Sequence, residues 1–186
     1  MINKKIIAIA NQNGGVGKTT TTMNLGAALS EAGEDVLLVD LDPQGTLTIA
    51  HGFDPDNLSN TIYTALIDHH FKIKEVILET KNGPNLIPAN LDLSAAEVEL
   101  LSELGREMYL KESLKPLRSS YNFILVDCPP SLGLLTINAL VAADAIIVPV
   151  ATQYLRFRGL KLLLETIEKV KDKFNPNLPL PGILPN

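Results

Sequence analysis

A glycine-rich segment near the N-terminus has the residue types needed to hold a phosphate group. Residues 11–20 read NQNGGVGKTT and lie between an apolar run at 5–11 and a segment of helical pattern. Gly14, Gly15 and Gly17 let backbone N–H groups converge on phosphate oxygens, because glycine adopts the positive φ angles that such a turn needs. The N-terminus of the following helix adds partial positive charge. The strand, turn and helix together predict a phosphate-binding loop.

Two side chains of this loop can act directly on a nucleotide. The ammonium of Lys18 can neutralise the β- and γ-phosphates, and the hydroxyl of Thr19 can ligate Mg²⁺. The pattern G-x-x-x-x-G-K-[ST] would need glycine at Gln12, and the variant x-K-G-G-x-G-K-[ST] would need lysine at Asn13; the sequence has neither. A turn that binds no ligand is the alternative interpretation, and the full string GGVGKTT disfavours it.

Three aspartates follow apolar runs that resemble buried strands. Asp40 and Asp42 end the run VLLVDLD, and Asp127 ends the run NFILVD. Because Asp40 and Asp42 are two residues apart, they lie on the same side of an extended chain. A carboxylate at such a strand end can hold a Mg²⁺-bound water beside the phosphate loop. A cap or turn role is the alternative for each aspartate.

Apolar runs alternate with helical patterns along the chain. Continuously apolar runs are typical of strands that are covered on both faces. Their alternation with helices predicts an α/β fold with a doubly wound, mostly parallel sheet and helices on both faces. Ser94 and Glu97 form a capping-box pattern, and Gly33 is placed to end the first helix. Strands are predicted at 5–11, 35–40, 85–89, 122–127, 145–150 and 180–184, and helices at 18–32, 94–117, 132–142 and 156–173.

The composition fits one folded domain. The 186 residues are 46% hydrophobic and 20% charged, which is typical of globular proteins. A net charge of -5 argues against a uniformly basic surface for nucleic acid and leaves room for a local basic patch. With one cysteine, no signal peptide and no long apolar run, we expect a cytoplasmic protein. We predict a single domain over 1–186, whose proline-rich end NPNLPLPGILPN is expected to precede a missing loop and helix.

The motifs resemble those of the ParA/Soj group of deviant-Walker ATPases, whose relatives include MinD and the nitrogenase iron protein. The similar segments begin with ANQNGGVGKTTTTMNLGAALSEAGEDVLLVDLDPQG and include IPANLDLSAAEVELLSELGRE, FILVDCPPSLGLLTINAL and GLKLLLETI. The resemblance implies a P-loop NTPase fold, ATP and Mg²⁺ as cofactors, and an ATP-dependent homodimer. It also implies a nucleoid-associated prokaryotic protein that positions plasmid or chromosomal DNA, or another large cargo. Such proteins bind non-specific DNA, and an adaptor of ParB type stimulates their ATPase.

The resemblance also assigns roles to residues by their positions in the motifs. Asp42 would orient or activate the attacking water, and Asp42, Lys18 and Asn13 are the candidate catalytic residues. The second switch, which senses the γ-phosphate, would contain Pro129, Pro130 and Ser131. The implied phosphate-binding residues are Gly14, Gly15, Val16, Gly17, Lys18, Thr19 and Thr20, and the implied metal-site residues are Thr19, Asp40 and Asp127.

Asn13 is the main departure from the family pattern. It occupies the position of the signature lysine, which reaches the partner's phosphates across the dimer and acts like an arginine finger. Such a charge is worth about 10³–10⁵ in rate where an arginine supplies it. We therefore expect ATP binding to survive and hydrolysis, dimerisation or both to be weakened or differently organised. An engineered trap and a natural subfamily that works without the lysine are alternatives.

Smaller departures concern the first switch and a later helix start. Thr46 stands where the group commonly has asparagine. In the segment 149–159, Gln153 and Arg158 stand where the group has glutamates, and Arg156 is an additional arginine. With Lys161, the arginines could form a basic face for DNA phosphates; a solvated helix start is the alternative.

The remaining candidates are expected to be structural. Surface or loop roles are predicted for His51, His69 and His70, and a small buried residue for Cys128, since an iron–sulfur cluster would need more cysteines. Two further functions remain open. One is a hydrolysis-impaired switch that dimerises on ATP, and the other is a MinD-like division-site regulator. Membrane binding of the MinD type would need an amphipathic C-terminal helix and is not favoured.

Overall fold

A parallel six-stranded sheet forms the centre of the protein. The computed structural model describes residues 4–68, 70–80, 83–151 and 157–186. The strand order is β3-β2-β4-β1-β5-β6, and every pairing between these strands is parallel. The prediction of a doubly wound α/β fold is thus confirmed. The strands are β1 Lys5–Ile9, β2 Val36–Asp40, β3 Asn85–Ile87, β4 Phe123–Asp127, β5 Ala145–Val150 and β6 Gly182–Pro185.

Helices cover both faces of this sheet. Short 3-10 turns at Pro55–Asn57, Ile73–Val76, Leu100–Ser102, Arg106–Met108 and Lys115–Leu117 lie between some of them. Within the described ranges, no helix is both long enough and apolar enough to cross a membrane. The helices are α1 Lys18–Glu31, α2 Thr46–Ala50, α3 Ile62–Ile67, α4 Leu93–Glu99, α5 Tyr109–Leu114, α6 Leu134–Ala142 and α7 Phe157–Lys173.

Strands β1 to β5 are apolar because most of their residues are buried on both faces of the sheet, whereas all four residues of the edge strand β6 are exposed. Leu38 and Leu125 pack with Met23 and other residues of α1 on one face. Their neighbours Leu37 and Ile124 point to the opposite face and join the larger cluster that includes residues of α3 to α7. Side chains alternate between the faces of a strand. Continuous apolar runs therefore predicted buried strands correctly for β1 to β5. For the run 180–184 they predicted a strand correctly and its burial wrongly, because β6 is exposed.

The C-terminal end of α1 follows its sequence signal. Gly33 has a φ of 88°, a left-handed conformation that side chains with a Cβ disfavour. Its N–H donates to the carbonyl of Ser30, and the N–H of Glu34 donates to the carbonyl of Leu29. This pair of bonds is a Schellman motif, which satisfies carbonyls that the helix leaves open. The prediction that Gly33 ends the helix is confirmed.

The single helix predicted at 94–117 is wrong. The chain leaves α4 through a 3-10 turn and becomes extended at Glu103, and Gly105 then adopts a φ of 70° before α5 begins. A regular helix cannot continue through either conformation. The predicted capping box is also wrong: Asp92 is the N-cap of α4, and Ser94 lies inside the helix with its hydroxyl bonded to the carbonyl of Leu91.

Candidate functional site

The glycine-rich loop connects the end of β1 with the start of α1. Gly15 and Gly17 have φ angles of 65° and 82°, which confirms the predicted conformation for these two glycines. Gly14 does not have a positive φ, so the prediction is wrong for that residue. A Cβ at Gly14 or Gly15 would meet no heavy atom within 4 Å, so the loop borders open space there. Gly17 is the N-cap of α1, and no side chain caps this helix end. The first turn of α1 can therefore offer its N–H groups to an anion.

Asn11 fixes the start of the loop. Its side chain is buried, and its Nδ2 donates to the carbonyl of Pro149 in β5 at 2.7 Å. Its Oδ1 accepts the backbone N–H of Asn13 at 2.9 Å. The side chain thus ties the loop to the neighbouring strand. The sequence prediction missed Asn11, because its partner lies more than a hundred residues away.

Lys18 is held inside the loop by a backbone carbonyl. Its Nζ donates to the carbonyl oxygen of Asn13 at 3.1 Å, and the residue is 8% exposed. Burial lowers the pKa of the Lys18 ammonium, while the nearby carboxylates of Asp127 and Asp42 oppose that shift. A phosphate placed in the loop would offer this ammonium a stronger acceptor than the carbonyl.

The side chain of Asn13 lies against the start of α7 in its own chain. A Cβ added at Gly159 would come within 2.8 Å of Oδ1 and 2.9 Å of Nδ2 of Asn13. Only glycine at position 159 leaves room for this contact. The sequence did not predict this close approach between the loop and α7.

Asp127 meets Thr19 at the end of β4. The hydroxyl of Thr19 donates to Oδ2 of Asp127 at 2.6 Å. The other oxygen, Oδ1, is buried and has no hydrogen-bond partner among the described residues. Burial, together with the carboxylate of Asp40, raises the pKa of Asp127 to about 7, although Thr19 and Lys18 oppose this.

These two side chains fit a magnesium ion. A hydroxyl and a carboxylate with an unused buried oxygen are hard oxygen donors of the kind that Mg²⁺ prefers, directly or through water. No group of three or more His, Cys, Asp or Glu side chains arranged for a metal occurs in the described part of the chain. A magnesium ion here would therefore take its other ligands from phosphate and water, as is usual for nucleotide sites.

Asp40 lies beside Asp127 and is bonded to protein donors. The two residues are partners in the register of β2 and β4. Oδ2 of Asp40 accepts the N–H and the hydroxyl of Thr48 at 2.9 and 2.7 Å, and Oδ1 accepts the N–H of Asp42 at 3.2 Å. Burial raises the pKa of Asp40 to about 6, against these hydrogen bonds. Asp40 thus shapes the segment after β2, and its part in a metal site stays a prediction.

Asp42 is half-buried at the first turn after β2. Its Oδ1 accepts the N–H of Gln44 at 3.0 Å. Gly45 then turns the chain with a φ of 60°, and a Cβ there would come within 3.0 Å of the Ala89 carbonyl. We call residues 42–48 the first switch segment. It presents the Asp42 carboxylate at the same sheet edge as the loop.

The second switch segment, residues 129–133, begins two residues after Asp127. It contains Pro129, Pro130 and Ser131, and the Ser131 carbonyl accepts the hydroxyl of Thr136 at 2.7 Å. The segment therefore runs from the strand that carries Asp127 into α6. Its position matches the sequence prediction, and its response to a ligand stays a prediction.

A cavity of about 950 Å³ extends from the loop towards β6. Thr20, Asn24 and Leu25 of α1 line one side, and Ile183 and Leu184 of β6 line another. Asn186 borders it and donates from Nδ2 to the carbonyl of Val16 at 2.8 Å. The cavity volume is within the range of sites for ligands of nucleotide size.

The other candidates have local structural contacts or lie outside the described residues. Nδ1 of His51 is 2.9 Å from the Leu47 carbonyl, and burial raises the pKa of the Cys128 thiol above its usual range. Lys161 pairs with Glu165 at 3.9 Å on an exposed part of α7, and Thr46 begins α2. The described part of the structure does not include His69, Gln153, Arg156 or the side chain of Arg158.

The phosphate-binding loop lies at the carboxyl ends of a parallel sheet, where Lys18, Thr19 and Asp127 converge. This arrangement defines a P-loop nucleoside-triphosphate-binding protein. Comparison with known proteins agrees, since the AAA_31 family model, described as AAA domain, matches residues 4–180. Sporulation initiation inhibitor protein Soj of Bacillus subtilis is 45% identical over 97% of this chain and 71% of its own length. The chain therefore belongs to the AAA domain family and, within it, to the ParA/Soj group.

Other known proteins are also similar to this chain in sequence or structure. The chromosome partitioning protein ParA of Myxococcus xanthus is 47% identical over 97% of this chain and 64% of its own length. An uncharacterised protein of Mycobacterium tuberculosis is 48% identical over 97% of this chain, which spans only 57% of that relative. A solved structure from Mycobacterium smegmatis, described as cobyrinic acid a,c-diamide synthase with an ATP analogue and magnesium, superposes with a TM-score of 0.94. It is 46% identical and covers 98% of this chain, which covers 74% of it.

Proposed function

We propose that this chain binds ATP with Mg²⁺ and hydrolyses the nucleotide as part of a dimerising switch. The observation that supports this most is the Thr19–Asp127 pair, with its unused buried oxygen, beside the open glycine loop. The solved M. smegmatis relative contains an ATP analogue and magnesium. The cavity between α1 and β6 would hold the nucleoside.

In this proposal the chain's own groups divide the work of binding. Backbone N–H groups from Gly14 to Thr20 bind the phosphates, and Lys18 moves from the Asn13 carbonyl to the phosphate oxygens. Thr19 and Asp127 hold the metal site. When bound, Mg²⁺ neutralises charge on the β- and γ-phosphates.

Asp42 would accept a hydrogen bond from the attacking water and orient it. Three observations support this role: its position at the sheet edge, its partial burial, and the turn that fixes one of its oxygens through Gln44. A positioned carboxylate of this kind contributes through orientation as well as proton transfer. Asp40 would keep the first switch segment in place through Thr48.

The cellular role that we propose is the positioning or segregation of plasmid DNA, chromosomal DNA or another large cargo over the nucleoid of a prokaryote. The relatives named Soj and ParA support it. An ATP-dependent homodimer, non-specific DNA binding and an adaptor of ParB type belong to the same proposal. Membrane binding does not.

A second candidate is an ATP-dependent switch that hydrolyses slowly or not at all. The observation that favours it is Asn13, an uncharged residue that packs on Gly159 of its own chain. A third activity, ATP-dependent amidation, is suggested by the description of the M. smegmatis relative.

Phosphate release, measured with ATP and Mg²⁺ with and without duplex DNA, separates these candidates. Turnover that rises with DNA, together with an ATP-dependent dimer mass, supports the partition ATPase. A dimer without turnover supports the slow switch. Turnover that depends on cobyrinic acid, and is indifferent to DNA, supports amidation and contradicts our proposal.

A further inference from the structure

Glu97 of α4 contacts the N-terminus of α6 rather than its own helix. Its Oε1 accepts the backbone N–H of Leu135 at 3.4 Å. Helix α6 has no side-chain cap and no acidic residue of its own in the first turn. A carboxylate is stabilising at this end of a helix, because it meets open N–H groups and the positive end of the helix dipole.

Gly133 makes room for this carboxylate. A Cβ at Gly133 would lie 3.1 Å from Cδ and 3.3 Å from Oε2 of Glu97, and closer still to Oε1. The φ of Gly133 is -74°, which any residue adopts. The backbone conformation therefore does not require glycine at this position, whereas the Glu97 carboxylate in its observed place leaves no room for a Cβ.

Helix α6 begins where the second switch segment ends. Within that segment, the Gly133 carbonyl accepts the N–H of Ile137, and the Ser131 carbonyl accepts the hydroxyl of Thr136. These two bonds tie Ser131 and Gly133 to the first turn of α6. These residues lead back to Asp127 in the same stretch of chain.

The other end of α4 is tied to the first switch segment. Thr48, which is bonded to Asp40, accepts the N–H of Ala89 with its hydroxyl at 3.1 Å. The chain from Ala89 leads directly into α4, where Leu93 and Ala96 are fully buried. Helix α4 is thus a firmly packed element with one switch segment at its start and the other at Glu97.

We propose that Glu97 is a positioning residue that couples the second switch segment to the first through α4. The effect of this coupling on ATP turnover rests on the nucleotide-dependent function proposed above. The structural part of the proposal, that Glu97 holds the start of α6, stands without nucleotide. Among the described residues, the contacts of the Glu97 carboxylate are with the start of α6 at Gly133 and Leu135, so in this proposal it acts through the segment that it holds.

The first test is amide hydrogen exchange of the nucleotide-free chain. Glu97→Ala should exchange about two- to fivefold faster at residues 135–137, the range that a helix-end charge supplies. Glu99→Ala is the matched control, because Glu99 lies on the same helix and bonds the Tyr63 hydroxyl instead. Equal exchange at 135–137 in wild type and Glu97→Ala would overturn the contact.

The second test adds ATP and Mg²⁺. In Glu97→Ala, the affinity for ATP should change by less than about twofold, and residues 42–48 should keep their protection from amide hydrogen exchange. By contrast, kcat and the protection of residues 129–137 should each fall at least about threefold. Glu97→Gln keeps an accepting oxygen and should recover most of both. Gly133→Ala should behave like Glu97→Ala, and the double variant should be no worse than either single change.

The outcomes separate the two proposals. A wild-type chain that binds no ATP contradicts the proposed function, while the exchange result without nucleotide still decides whether Glu97 holds α6. Normal ATP binding with equal kcat and equal protection in Glu97→Ala and Glu99→Ala would overturn the coupling.

Discussion

Asn13 shows at the scale of one residue how a family motif can be kept while its chemistry changes. The backbone carbonyl of Asn13 receives Lys18, and its side chain fills the space above Gly159. Asn13 lacks the positive charge that the signature lysine of the family brings to the partner's phosphates across the dimer.

Restoring that charge should raise turnover. Asn13→Lys is expected to increase phosphate release by at least about tenfold, and by no more than the 10³- to 10⁵-fold, roughly, that a cation at the transition state can supply. Asn13→Gln, which is longer but uncharged, is the matched control. Equal rates in both variants would show that charge at this position does not limit the reaction.

The buried carboxyls of Asp127 and Asp40 make stability depend on pH. Their pKa values in the folded chain are about 7 and about 6, above the ordinary value of about 3.9. The folded state therefore binds more protons than the unfolded state, and the stability from these groups is present at about pH 4 and lost as pH rises through 7.

Denaturant unfolding of the nucleotide-free chain in a chelator should show this loss. The free energy of unfolding should fall between about pH 4 and 7, by up to about 1.4 kcal/mol per pH unit for each proton. Asp127→Asn should flatten the upper part of the plot of unfolding free energy against pH. The control Asp56→Asn, at an exposed position, should leave the plot unchanged. A slope that survives both Asp127→Asn and Asp40→Asn would refute the assignment.

The motif residues could be predicted because their chemistry is local. Gly14, Lys18 and Thr19 form one short string, and Asp127 ends an apolar run. Asn11, Gly159, Asn186 and Glu97 could not be found in this way. Each acts on a segment distant in sequence, and no nearby pattern marks the partner.

At the scale of elements, α1 carries one glycine with positive φ at each end. Gly17 and Gly33 have similar φ angles of 82° and 88°, and the helix between them packs on β2 and β4. Gly17 begins the helix at the phosphate loop, whereas Gly33 ends it on the far side. Both positions therefore require a positive φ. Only Gly17 lies beside the phosphate loop.

Alanine at each position should separate stability from binding. Gly17→Ala and Gly33→Ala should each lower the free energy of unfolding by about 1–2 kcal/mol, because the left-handed conformation is unfavourable for a residue with a Cβ. Only Gly17→Ala should also lose ATP affinity, by more than about tenfold, as measured by titration calorimetry. Equal affinities in the two variants would argue against the loop as the binding site.

The strands and the longer helices were predictable, and the short helices were not. The six strands and α1, α6 and α7 followed from apolar runs and helical period. Helices α2 and α3 have five and six residues, too few for a periodic pattern to be recognised. The predicted helix at 94–117 failed because Gly105 and the extended Glu103 interrupt an otherwise helical composition.

At the scale of the whole molecule, the strand order brings the site together. The β3-β2-β4-β1-β5-β6 order places β4 between β1 and β2, so the loop after β1, the aspartates after β2 and Asp127 meet at one edge. Ligands of open α/β sheets bind at this edge of the strands. The fold class could be predicted from the sequence. The order of the strands could not, because helical crossovers of similar length can join several neighbours.

The account depends most on the claim that this edge binds ATP with Mg²⁺ and hydrolyses it through Asp42. ATP affinity and phosphate release, measured together on wild type and Asp42→Asn with Lys18→Ala for comparison, test it directly. We predict that wild type binds and turns over ATP, that Asp42→Asn binds with affinity within about threefold but loses turnover by at least about tenfold, and that Lys18→Ala loses binding. No binding by wild type, or undiminished turnover in Asp42→Asn, would contradict the account.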